Sequence, residues 1–103
     1  MTSIIRGTTP TLKYVFNTVN VSDITVAYLT IKIDNDPTHN IEKTLSDAEV
    51  GQDYILWSLT QAETLTFKND ISVMINWKLA DGTRGASKKT IFIIDSNYKE
   101  IEI

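Results

Sequence analysis

The residues near the N-terminus best equipped for chemistry are Arg6-Gly7-Thr8-Thr9-Pro10-Thr11. A guanidinium, a glycine and neighbouring hydroxyls are groups that can wrap a phosphate. Phosphate loops need more: several glycines, a lysine, and a strand running into a helix so that backbone amides converge. This run holds one glycine, its next lysine is Lys13, and a strand pattern follows. A bend between two β segments fits better. Gly7 permits an unusual φ, and Pro10 biases Thr9 toward extended geometry and interrupts pairing. Such a kink lets an N-terminal strand serve first one sheet and then the other. Arg6, Thr8 and Thr9 are also candidates for a protein contact.

The second constellation is "DNDPTHN", with Asp34, Asp36 and His39, the one histidine of the chain. A calcium loop of the common kind runs about twelve residues and ends in a bidentate glutamate. Glu42 lies too close to Asp34 to close that register. A zinc site with one histidine and no cysteine is weaker still. A solvated loop is the expectation, with no metal and no cofactor. No histidine stands at a readable spacing from a nucleophile, and nothing marks any carboxylate pair as buried or shifted. The chain is therefore expected not to be an enzyme and to take no small-molecule substrate.

Lys88-Lys89 with Arg84, Lys78 and Lys68 could make a small basic area, and Tyr28 and Tyr54 could offer stacking faces. Single-strand binders need both on one open face. A lysine doublet more often protects an edge strand, so no nucleic-acid partner is expected. The remaining candidates are apolar. Tyr28, Tyr54, Leu56 and Met74 fall at outward strand positions. The closing "YKEIEI" puts Tyr98, Ile101 and Ile103 where they could pair along the open edge of a neighbour.

The elements that must hold these residues are strands. "TLKYVF" alternates, with Leu12, Tyr14 and Phe16 on one face. "ITVAYLTIKI" sets Ala27, Leu29, Ile31 and Ile33 inward, and "YILWSL" does so with Ile55, Trp57 and Leu59. "ISVMINWKL" aligns Ile71, Val73, Ile75, Trp77 and Leu79. Trp57 and Trp77 are expected mid-core. Residues 34–40 are expected as a turn or loop, and "IEKTL" as a short strand. Thr60 and Glu63 form a capping-box pattern opening a short helix whose apolar patch is Ala62, Leu65 and Phe67. Asp81-Gly82 marks a hairpin. A two-residue turn would set Lys88 opposite Ile75 with Phe92 and Ile94 inward. A three-residue turn would set Lys89 there with Ile91 and Ile93 inward. Either leaves a lysine on an apolar face, which calls for an edge position, a bulge or a stem lying flat. "YKEIEI" alternates as a last strand.

The 103 residues suit one domain, residues 1–103, and the net charge of −3 is too mild for a general nucleic-acid binder. The chain has no cysteine and hence no disulfide or thiolate chemistry. No stretch approaches the roughly 20 apolar residues of a membrane helix, and no membrane partner is expected. About seven short strands and one helical turn predict an all-β fold. An immunoglobulin-like two-sheet antiparallel β-sandwich is the expected form, with a partly open barrel as the alternative.

The segments "IIRGTTPTLKYVF", "AYLTIK", "WSLTQAETLTF" and "ADGTRGASK" together resemble small uncharacterised structural-type proteins of prophages and tailed phages of Firmicutes, over residues 4–94. The start is more loosely similar to the N-terminal β-domain of phage baseplate upper proteins. The resemblance implies a virion or assembly component of tail, baseplate or neck. It would be made in the bacterial cytoplasm and taken into the particle, and its partners would be itself or other phage structural proteins. It carries no catalytic residues across. A soluble phage-encoded accessory protein that binds a host or phage protein is the other class.

Overall fold

The computed structural model describes residues 3–101 and residue 103. They form two β-sheets around one apolar core, with one short helical turn. The strands are β1 (Ser3–Ile5), β2 (Thr11–Val15), β3 (Ile24–Ile33), β4 (Asp36–Thr44), β5 (Glu49–Val50), β6 (Tyr54–Ser58), β7 (Ile71–Leu79), β8 (Arg84–Ala86) and β9 (Thr90–Asp95), and α1 spans Gln61–Leu65. The larger sheet runs β1-β9-β7-β3-β4, with β8 also on β7; the smaller runs β2-β6-β5.

The alternation read from the sequence sets the core. Ala27, Leu29, Ile31 and Ile33 of β3 are buried, as are Ile71, Val73 and Ile75 of β7 and Ile55, Trp57 and Leu59 on the facing sheet. Removing these faces from water is the main source of stability, about 25 cal/mol per Å² of apolar surface. The kink at residues 6–10 also does what its residues predict. Before it, β1 pairs with β9; after it, β2 pairs with β6 in the other sheet. Gly7 sits at φ +81°, and a Cβ there would press on Leu65 at 3.2 Å, so this turn accepts little besides glycine.

Several expectations need correction. β1 and β9 run parallel, so the larger sheet is mixed and not purely antiparallel. There are nine strand segments among the described residues: the kink divides one strand into β1 and β2, a break at Ser87–Lys89 divides another into β8 and β9, and the short β5 pairs with β6, while the closing segment contributes none. Residues 34–40 are mostly strand. Asp34 and Asn35 alone make the turn, with Asn35 at φ 59°, and β4 returns from Asp36. Pro37 falls in β4, an edge strand, where a missing donor is tolerated.

The Asp81-Gly82 hairpin adopts neither proposed register throughout. Leu79 faces Thr83 across residues 80–82, with Gly82 at φ +91°, and this places Ser87 opposite Ile75. Beyond the break β9 takes the register expected of the two-residue turn, Ile71 to Phe92 and Val73 to Thr90. Phe92 and Ile94 then pack on the core while Ile91 and Ile93 are exposed. The bulge-like break spares both lysines: Lys88 and Lys89 point to solvent.

On α1 the buried residue is Thr64 and not Ala62, which is exposed. The Thr64 hydroxyl donates to the carbonyl of Thr8 at 2.7 Å, so its polar atom is satisfied inside. Trp57 is fully buried, as expected. Trp77 is only half-buried and joins Tyr14 and Phe16 in an aromatic group, edge-on to Phe16 and tilted against Tyr14, at one end of the core.

The final correction concerns the C-terminus. Residues 96–101 form no strand. Side chains satisfy the local backbone instead: Glu100 Oε2 accepts from the Asn97 N–H at 2.8 Å, and Asn97 Oδ1 accepts from the Lys99 N–H at 3.2 Å. Polar side chains of this kind compete with a ladder for the same backbone groups.

Candidate functional site

The residues singled out from the sequence fall on three separate surfaces. Arg6, Thr8, Thr9, Tyr98, Ile101 and Ile103 gather at the end of the molecule that carries the kink, α1 and the C-terminal segment. Tyr28 and Met74 lie on the outer face of the larger sheet. Tyr54 and Leu56 lie on the outer face of the smaller one, and the core separates the two pairs.

At the end cluster Arg6 is a brace. Its Nε donates to the carbonyl of Phe67 at 2.6 Å, and its Nη1 meets Glu100 Oε2 at 2.8 Å. Asn97 Nδ2 donates to the Arg6 carbonyl at 3.1 Å. The guanidinium thus ties β1 to the loop after α1 and to the C-terminal segment, and it is committed to those partners. Thr8 is committed too: its hydroxyl donates to the Ile5 carbonyl at 2.7 Å while its own carbonyl accepts from Thr64. Thr9 is exposed. The Asn97 N–H, with lesser help from Arg6, holds the Glu100 carboxyl below its ordinary value. Beyond Glu100 the chain is held by Gln61. Its Nε2 donates to the Ile101 carbonyl at 3.1 Å, and its Oε1 accepts from the Ile103 N–H at 2.9 Å. This clasp buries little: Tyr98 is fully exposed, Ile101 is 59% exposed and Ile103 89%.

On the larger sheet the outer face is a shallow basic groove. Val26, Tyr28, Asn76, Lys78 and Arg84 line one part, and Thr30, Lys32, Ser72, Met74 and Lys89 line the next. Tyr28 therefore shares a groove with Lys78 and Arg84, whereas Tyr54 lies on the opposite side. Ile91 and Ile93 of β9 and Ile5 of β1 extend the same face with exposed apolar surface.

Near His39, Asp36 accepts from the Thr38 hydroxyl at 2.8 Å and lies 2.8 Å from the imidazole Nδ1. The Thr38 hydroxyl chiefly, and the histidine next, hold the Asp36 carboxyl below its usual range. Among the described residues no three His, Cys, Asp or Glu side chains are grouped to hold a metal ion.

The two flanks of the molecule differ most. On the β4 flank the sheets are strapped together. The Trp57 indole N–H donates across the core to the Thr44 carbonyl at 3.0 Å, and Lys43 Nζ meets Glu63 Oε2 at 2.9 Å. Partial burial pushes the Glu63 carboxyl up, but the Thr60 N–H and Lys43 outweigh it and leave the group below its ordinary value.

On the other flank β2 is the edge of its sheet, and among the described residues no strand pairs with its far side. Phe16 donates to Asp53, and Leu59 donates to Pro10. The two-residue alternation of an antiparallel ladder then turns the backbone groups of Thr11, Lys13 and Val15 away from β6. Between this edge and the β8–β9 break opens a cleft of about 280 Å³. Leu12, Tyr14 and Phe92 form its walls, Leu29, Val73 and Ile75 its floor, and Ser87 and Thr90 its far lip. Lys13 stands on the near lip with its amine 4.4 Å from the Tyr54 ring centroid.

Sequence reading missed this flank. Leu12 and Tyr14 were legible as inward residues and Lys13 as outward, but nothing local says that β2 lies at an edge. Comparison with protein-family models, curated proteins and solved structures finds no match to this chain.

Proposed function

We propose that the chain is an immunoglobulin-like β-sandwich working as a non-enzymatic assembly module, and that it serves as a phage or prophage virion or assembly component in tail, baseplate or neck. The observation that supports the assembly role is the open flank. An edge strand with free backbone donors and acceptors lies beside an apolar cleft, which is the arrangement a partner uses when it adds a strand. The virion setting rests on the resemblance of residues 4–94 to small proteins of Firmicutes phages. A soluble accessory protein is the second reading; the basic groove of Lys32, Lys78, Arg84 and Lys89 around Tyr28 and Met74 favours it, as a surface for an acidic host or phage protein.

Gradient-purified particles from phage-producing cells test the proposal. A virion component co-sediments with the particles in a fixed copy number, read by quantitative mass spectrometry. A chain that stays in the soluble fraction while complete particles sediment without it overturns the virion reading and leaves the accessory one.

A further inference from the structure

Resting on the assembly reading above, we infer that the partner of the open flank is a second copy of this chain, which lays its residues 98–103 along β2 as an added strand. The pattern of the donor fits the acceptor. "YKEIEI" alternates apolar and acidic residues from Glu100 onward, and alternate side chains of a strand point to opposite faces. Added to β2, Ile101 and Ile103 enter the cleft beside Leu12, Tyr14 and Phe92. Glu100 then projects to the outer face, where Lys13 stands, with Lys88 and Lys89 exposed beyond the far lip.

The donor is also available. Its isoleucines are largely in water in the single chain, and what holds residues 101 and 103 is the exposed Gln61 amide. Release of the tail gives up the partly buried Arg6–Glu100 ion pair and the bond from the Asn97 N–H to Glu100, and the added strand must outweigh both. The clasp on Gln61 and the added strand on a neighbour compete for the same segment, so the clasp sets how readily copies join.

Light scattering coupled to size exclusion, on the full chain across a wide concentration range, tests this. The expected result is a mass rising with concentration to a dimer or larger. Two full-length variants separate donor from acceptor. Ile101→Ser with Ile103→Ser removes the apolar donor residues from exposed positions. Val15→Pro removes a free donor of β2 while leaving the β2–β6 bonds intact. Each alone weakens association by about tenfold or more, and mixing the two restores a dimer, since one supplies an intact tail and the other an intact edge. Gln61→Ala strengthens association. A strict monomer at all concentrations, or an oligomer indifferent to both variants, overturns the inference. Absence from particles with a Val15→Pro-sensitive dimer would sink only the virion reading; presence in particles with a strict monomer would sink only this one.

Discussion

The β4 flank and the β2 flank both end in an edge strand, yet one is strapped across to its neighbours and the other stands apart from the facing sheet. β4 is an edge strand of nine residues, long enough to invite pairing. Its Lys43 is strapped to Glu63 of α1, and its Thr44 carbonyl is taken by Trp57 from across the core. β2 is five residues long, has one lysine at its lip and faces a cleft that reaches Leu29 and Ile75. The two edges differ in their tertiary straps: Thr44 and Lys43 tie β4 to Trp57 and Glu63, whereas β2 borders the cleft. It follows that substitutions on the closed flank should act on stability, and those on the open flank on association.

The largest effect is expected at Trp57. Trp57→Ala leaves a large cavity in a fully buried site and should cost about 3–5 kcal/mol in urea unfolding. Trp57→Phe keeps most of the bulk but strips the Thr44 carbonyl of its donor, about 1–3 kcal/mol. Next comes Gly85, where an added Cβ would lie 2.6 Å from the Trp77 indole, so the ring must move. Gly85→Ala should cost about 1–3 kcal/mol, read as a lower urea midpoint at unchanged slope.

Thr64→Val is smaller, about 1–2 kcal/mol, because it leaves the Thr8 carbonyl without its buried partner. Acid titration probes the straps together. The Glu63 and Glu100 carboxyls are both held below their ordinary value near 4.5 when folded. Their contribution is therefore complete above that value and is lost as pH falls through the depressed folded one. Lys43→Met should flatten part of this acid-side slope in urea unfolding followed against pH. Smallest of all, Val15→Pro on the open flank should change the stability of the dilute chain by no more than about 0.5 kcal/mol. A loss as large as that at Gly85 would mean that β2 is covered, and the comparison would fail.

How far the sequence carries follows the same division. Whatever depends on local period was legible: the inward faces of β3, β6 and β7, the Thr60–Glu63 cap, and the kink at Gly7 that moves the chain between sheets. What depends on non-local neighbours was not. Trp77 has the right phase for the core, but its position along β7 sets it at the end. "YKEIEI" has a strand's alternation, yet Asn97 and Glu100 take up its backbone. The open flank is invisible to periodicity because it arises from strand order and from the break between β8 and β9. The candidate contact residues were legible as exposed and apolar, but not their division among three surfaces.

Amide hydrogen exchange, resolved by residue, tests the open edge most directly. In dilute solution Leu12, Tyr14 and Phe16 should be protected while Thr11, Lys13 and Val15 exchange fast. At high concentration the same three should slow as the tail of a second copy pairs with them, with no change at β4. Protection of Thr11, Lys13 and Val15 already in the dilute chain, or fast exchange that concentration leaves untouched, would contradict the account.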